Sequence, residues 1–229
     1  MRVVHVDPPE LGVHDELAYA AFRPADAPRA RVVVLHGAGS AKESHFGWAR
    51  ECRKHGFAAV CFDMRGHGDS PGELDDRALE DIASMATIAG DPSVPLVLRG
   101  SSMGGWMALA AGAQLEAAAV VAICPAPGAD FVRSLRAGEL PEFAVDVDAV
   151  ARLVAGVAEQ RAAAQLGTRL LLLHASGDDT VPVEASRELH AAAPGSRFVE
   201  VPGGHHRSAQ HDGDLQAFAL RWVDGVLAD

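Results

Sequence analysis

Six short apolar runs alternate with longer helical stretches along this chain, and that alternation restricts its fold more than any other feature. The runs are Arg31–Leu35, Ala58–Phe62, Pro95–Leu98, Ala118–Ile123, Arg169–Leu173 and Arg197–Val201. Most are apolar at consecutive positions rather than every second one, as strands covered on both faces require. Between them, Leu79, Ile82, Ala83 and Ala86 follow the i, i+3, i+4, i+7 spacing of a helical stripe, and Val150, Leu153, Val154 and Val157 repeat it. Glu184 to Ala193 and Leu215 to Leu227 are two more amphipathic stretches. Residues 1–30 hold four prolines and short apolar pieces, read as an N-terminal hairpin at the sheet edge. The pattern predicts an α/β fold: a mostly parallel central sheet of about eight strands, flanked by helices on both faces. No repeat or low-complexity linker divides the 229 residues, so a single domain over 1–229 is expected.

Hydrophobic residues make up 48% of the chain, enough for a substantial core without metal or disulfide staples. The formal net charge of −11 and the lack of any basic block argue against nucleic-acid or anionic-membrane surfaces. Cys61 and Cys124 lie in apolar runs and read as buried small hydrophobes, while Cys52 is expected on a helix with part of its surface exposed. With no CxxC pair, neither a disulfide framework nor a thiolate metal site is suggested. Residues 1–20 carry five charges and no apolar h-region, and no run of 18 apolar residues occurs. A cytoplasmic protein without a membrane span is expected.

The chemistry is signalled by Gly100-Ser101-Ser102-Met103-Gly104-Gly105, which follows one apolar run and precedes a helical stretch. This is a G-x-S-x-G pattern with Ser102 at its centre. A sharp strand-to-helix turn exposes the central side chain, and glycines are needed where a Cβ would collide with strand or helix. The following helix also aims backbone N–H groups at the reacting oxygen. Ser101 competes as nucleophile but falls at an x position, where it reads as a turn residue.

With these residues the sequence resembles the α/β-hydrolase superfamily of serine hydrolases. Leu35-His36-Gly37-Ala38-Gly39-Ser40 resembles the family's His-Gly loop, and Asp63-Met64-Arg65-Gly66-His67-Gly68-Asp69-Ser70 its D-x-R-G-H-G-x-S loop. By that resemblance, Met103 and Ala38 supply the two oxyanion-hole amides, and His36 and His67 are structural. The expected order is Ser, then Asp or Glu, then His. His174-Ala175-Ser176-Gly177-Asp178-Asp179-Thr180-Val181-Pro182 is similar to the family's H-G-x-x-D-x-x-V-P stretch, with alanine for its glycine. Counting back from Val181-Pro182 places the acid at Asp178, with Asp179 as the alternative. The base stands fourth in a G-x-x-H turn, here Gly203-Gly204-His205-His206, which points to His206 with His205 as its rival. His205, His206, His211 and Asp212 are close together, but no H-E-x-x-H motif or cysteine partner accompanies them, so no metal site is assigned.

The resemblance implies cleavage of a small-molecule carboxylic ester or thioester through an acyl-serine, with no cofactor and no metal. Haloalkane dehalogenases and epoxide hydrolases of the family have aspartate where Ser102 stands, and Tyr19 is the only tyrosine available to open an epoxide. Residues of about 125–146 are too few for a full cap. They are expected to form a short helical segment over the site, in which Phe131, Leu135, Leu140 and Phe143 make an apolar wall or fill a core helix. A ligand-binding protein on a hydrolase fold, or a cofactor-free lyase or perhydrolase using the same triad, are the alternative readings.

Overall fold

The structure, a computed structural model, describes residues 8–228. The chain runs β1 Glu10–His14, β2 Leu17–Phe22, β3 Ala30–Leu35, a 3-10 turn Lys42–His45, α1 Phe46–Lys54, β4 Phe57–Phe62, α2 Ala78–Ala89 and β5 Leu96–Ser101. There follow α3 Met103–Gln114, β6 Ala119–Ile123, α4 Gly128–Ala137, α5 Val147–Ala155 and α6 Glu159–Leu166. After a short 3-10 turn come β7 Leu170–Ala175, α7 Glu184–Ala192, β8 Arg197–Val201, α8 Ser208–His211 and α9 Gly213–Val226. The strands form an eight-stranded sheet in the order β1-β2-β4-β3-β5-β6-β7-β8. Strand β2 pairs antiparallel with β1 and β4, and the other pairings are parallel.

The expected edge hairpin is β1–β2. Its two-residue turn, Asp15-Glu16, has φ of +50° and +68°, the left-handed pair that matches the twist of a tight hairpin. The first seven residues of that stretch lie outside the described residues. Strands β4 and β6 are buried at every position, so the sheet carries a core on each face. Helices α2, α3, α6 and α7 cover one face with Ile82, Met85, Met107, Ala163 and Leu189. Helices α1 and α9 cover the other with Trp48, Ala49, Leu220 and Val223. Each large side chain so buried contributes about 1.5–3 kcal/mol.

Three expectations change. Cys52 is wholly buried rather than partly exposed, because the face of α1 that carries Trp48 and Ala49 packs on the sheet. The stripe Val150, Leu153, Val154 and Val157 does not run along one helix: α5 ends at Ala155 and α6 begins at Glu159, leaving Val157 in the break between them. Strand β5 continues three residues beyond Leu98, through the charged Arg99, to the residue before Ser102.

Buried polar braces fix the loops at the carboxyl ends of β3 and β4. Asp63, fully buried, accepts from the Lys42 amide and ammonium (both 2.7 Å) and from the Asp69 amide at 2.9 Å. Arg65 makes a two-pronged pair with Asp81, with both N–O distances at 2.9 Å. His36 Nε2 accepts the Met64 amide at 3.0 Å and its Nδ1–H donates to the Gly37 carbonyl at 2.8 Å, which fixes the neutral tautomer. Burial, helped by neighbouring His67, lowers the His36 pKa from 6.5 to about 4. His67 stacks on Phe143 at 4.2 Å between ring centroids. His36 and His67 thus hold loops together. No helix among the described residues is long and apolar enough to cross a membrane.

Two outcomes are expected. A Cβ on Gly104 would lie 2.5 Å from the backbone oxygens of Leu35 and His36, whereas one on Gly47 meets nothing within 4 Å. Gly104→Ala should therefore cost about 3 kcal/mol or more in urea unfolding, and Gly47→Ala, on exposed α1 surface, should be neutral or stabilising by up to ~1 kcal/mol. His36 stays neutral in the folded chain down to about pH 4 while the unfolded chain takes up a proton below 6.5. The unfolded state therefore binds more protons across that window, and acidification destabilises the fold, by about 3 kcal/mol from this group. Urea titrations between pH 7 and 4 should show this loss, reduced by about one proton's slope in His36→Gln.

Candidate active site

Ser102 occupies the turn between β5 and α3 with φ +57° and ψ −121°, a conformation L-residues rarely adopt. The turn is held by backbone. The Ser102 amide donates to Ile123 O at 2.9 Å, and its carbonyl accepts from Gly105, Trp106 and Ala126 at 2.9, 3.1 and 3.2 Å. A Cβ on Gly100 would lie 1.9 Å from the Gly104 carbonyl oxygen, so the glycine on either side of the serine is a steric requirement. Ser101, by contrast, ends β5 with its side chain buried. A Cβ on Gly37 would stand 3.4 Å from Ser102 Cβ, so the loop carrying Ala38 lies against the candidate nucleophile. Met103, the first residue of α3, has an amide with no acceptor inside its own helix.

Asp178 and His206 meet across the loops after β7 and β8. His206 Nδ1 is 2.7 Å from Asp178 Oδ2, while Oδ1 accepts the amides of Thr180 and Val181, each at 2.9 Å. His174 Nε2 stands 3.4 Å from the same Oδ2. Burial pushes the Asp178 carboxyl upward, but these hydrogen bonds outweigh it and hold it well below the usual carboxylate range. The carboxylate is therefore ionised at any working pH. The neighbours face elsewhere: Asp179 is exposed and touches the Thr180 hydroxyl at 3.4 Å, and His205 Nδ1 accepts the Arg207 amide at 3.3 Å. No hydrogen bond joins the Ser102 hydroxyl to His206 among the described residues. Such contacts are often open without substrate and tighten in the complex.

A cleft of about 250 Å³ opens at Ser102, lined by Ala38, Ala126, Pro127, Phe131, Leu140, Val181 and Pro182 and rimmed by Asp130, Arg133, Asp179 and Thr180. Of the four apolar residues expected as a wall, Phe131 and Leu140 line this cleft. Leu135 packs on the core and Phe143 stacks on His67, so the segment serves both purposes. His205, His211 and Asp212 do not converge on His206. Asp212 instead caps α9 by accepting the Leu215 amide at 2.8 Å.

Three residues near the site escaped the sequence reading. Lys42 looks like any surface lysine until Asp63 is seen to lie beside it. Arg99, three residues before Ser102, is buried without a carboxylate partner among the described residues. It contacts His45 Nδ1 at 2.9 Å and the Gln210 carbonyl at 3.3 Å, and lies 4.7 Å from the Trp48 ring centroid. It thereby ties β5 to α8, the helix that follows His206. Cys124, read as a buried hydrophobe, is buried, but its sulfur lies beside Asp178 and His206. Its only sequence signal was its place at the end of an apolar run.

A family model described as serine aminopeptidase, S33, matches residues 26–137, a span that holds His36, Asp63 and Ser102 and ends before Asp178. Monoacylglycerol lipase of Mycolicibacterium smegmatis is 29% identical over 240 residues, covering 83% of this chain and 85% of its own. Est1E of Butyrivibrio proteoclasticus, solved with ferulic acid, superposes with TM-score 0.71 at 20% identity, over 93% of this chain and 96% of its own. Monoacylglycerol lipase of Paleococcus ferrophilus gives TM-score 0.71 at 20% identity, over 93% and 98%. The eight-stranded sheet, the glycine-flanked serine turn and these likenesses agree: the chain has the α/β-hydrolase fold and is similar to serine hydrolases that act on esters.

Proposed function

We propose that the enzyme hydrolyses small carboxylic esters, with Ser102 as nucleophile, His206 as proton carrier and Asp178 as the residue that orients the imidazole. The observation that carries this reading is the 2.7 Å contact between His206 Nδ1 and Asp178 Oδ2, whose loop continues into the Asp179–Pro182 residues that line the cleft at Ser102. An ionised carboxylate can only accept, so His206 keeps its proton on Nδ1 and has a lone pair free on Nε2. A serine hydroxyl is a weak nucleophile near neutral pH and needs that lone pair. As Ser102 Oγ bonds to the ester carbon, its proton passes to Nε2 and the carbonyl electrons move onto oxygen. The Met103 and Ala38 amides receive this oxyanion, each contributing about 3–4 kcal/mol in the transition state. Collapse expels the alcohol, which takes the proton from Nε2–H. Water, deprotonated by the same ring, then cleaves the acyl-serine and frees the acid.

Ester hydrolysis accords with the serine-hydrolase family match and with relatives named as monoacylglycerol lipases. At about 250 Å³ the cleft falls below the usual 300–1,000 Å³ of sites for larger ligands, which favours a short acyl chain. Thioesters would follow the same acyl-serine route. With a net charge of −11, nucleic acid and anionic membranes are poor partners, and three buried free thiols suit a reducing cytoplasm.

Ser102→Ala should abolish labelling by a fluorophosphonate probe and ester turnover, while Ser101→Ala stays labelled. The reverse pattern would overturn the assignment. His206→Ala should lower kcat by about 10⁴-fold or more, against a small effect for His205→Ala, in p-nitrophenyl ester assays. Butyrate esters should turn over faster than palmitate esters, and a preference for palmitate would contradict the short-chain reading.

A further inference from the structure

Cys124 stands at the carboxyl end of β6 with φ +43°, a conformation that a side-chain-bearing residue holds only when its surroundings impose it. Its amide donates to Leu173 O at 2.8 Å, which fastens it to β7, and its side chain is fully buried. The sulfur, a carboxylate oxygen of Asp178 and a ring nitrogen of His206 all lie within 4.8 Å of one another. Ester hydrolysis through Ser102 uses the carboxylate and the ring but gives the sulfur no task. A sulfur and an imidazole nitrogen on separate loops are donors that thiophilic divalent cations favour, and a carboxylate oxygen is a third ligand that zinc also takes. Burial pushes the thiol up to about 12, so without a cation it stays protonated and inert.

We propose that Cys124, Asp178 and His206 form a latent site for a thiophilic divalent cation, Zn²⁺ or Cd²⁺, which silences the enzyme by drawing the imidazole and carboxylate away from Ser102. The proposal rests on the triad reading above. In the binding step the cation forms a bond to sulfur, nitrogen and oxygen, and the thiol releases one proton to solvent. If Nδ1 is the ligand nitrogen, its proton moves to Nε2. No electrons are exchanged. Metal–sulfur bonds of about 2.3 Å and metal–nitrogen or metal–oxygen bonds of about 2.0–2.2 Å set tetrahedral donors roughly 3.5 Å apart. The Asp178–His206 contact must therefore widen from 2.7 Å, and any separation near the 4.8 Å bound must close by about 1 Å. His206 can supply that movement, because its side chain is 19% exposed while that of Asp178 has no exposed surface. It also follows Gly203 and Gly204, both at positive φ. Hard cations such as Mg²⁺ gain little from a thiolate and should not bind.

The test adds Cd²⁺ alone to the full-length protein and follows two signals: the ultraviolet charge-transfer band of a cadmium–thiolate bond, and the rate of fluorophosphonate labelling. The wild type should show the band and label at least about tenfold more slowly, with EDTA restoring the rate and Mg²⁺ doing nothing. Cys124→Ser and Cys124→Ala should lose the band and keep their own metal-free labelling rates when Cd²⁺ is added. Cys52→Ala/Cys61→Ala, which leaves Cys124 as the one thiol, should keep both effects and decides the matter if the Cys124 variants fail to fold. No band in the wild type, a band that survives loss of Cys124, or one that vanishes with Cys52 and Cys61 would overturn the proposal. If Ser102 never labels even without metal, the nucleophile assignment fails, and the band still decides the cation site.

Discussion

The approach of the α3 N-terminus to the backbones of β3 and β5 governs the structure around Ser102. Gly100 and Gly104 each leave room for a neighbouring carbonyl that a methyl group would displace. With the two backbones this close, the chain can pass from strand to helix only through a residue at positive φ, and that residue is Ser102. Strain at a single position persists because surrounding contacts over-determine it. Here those contacts are the backbone bonds from Ser102 to Ile123, Gly105, Trp106 and Ala126. They also bring β6 alongside, which is why Cys124 and the cleft residue Ala126 lie near the turn.

Buried charge does the second part of the positioning. Lys42 and Asp63 pin the loops after β3 and β4 to each other, and Arg65 with Asp81 fastens the second loop to α2. Breaking one partner of such a pair leaves a charge without compensation in the interior, at a cost of about 3–5 kcal/mol. Arg99 differs, since burial lowers its pKa to about 10 and its contacts are an imidazole, a carbonyl and an indole face. Those contacts reach α8, so the charge that the core tolerates links the strand before Ser102 to the segment after His206.

Residues of α4 and of the Asp179–Pro182 turn line the cleft together with Ser102. Phe131 and Leu140 give this cleft an apolar wall, and Asp130, Arg133, Asp179 and Thr180 give it a polar rim. The proposed base and acid have the sulfur of Cys124 within 4.8 Å. An intact imidazole–carboxylate contact and a neighbouring thiol therefore occupy the same few ångströms.

Much of this was legible in the chain. Consecutive apolar positions identified the covered strands, because a sheet buried on both faces leaves no alternation to read. The glycine spacing around Ser102 announced the turn, since only glycine satisfies its steric demand. The order of the motifs narrowed the acid to two aspartates and the base to two histidines. What the order could not decide was direction: Asp178 and His206 face one another, while Asp179 and His205 turn to solvent, and a one-residue shift in a loop reverses such choices. The charge of Arg99 hid the true end of β5, because burial of a cation depends on partners brought from α1 and α8. Cys124 gave no sign of its neighbours for the same reason. Local pattern determines periodicity and turn chemistry, whereas contacts between groups 54 and 82 residues apart, as for Cys124 with Asp178 and His206, exist only once the sheet has assembled.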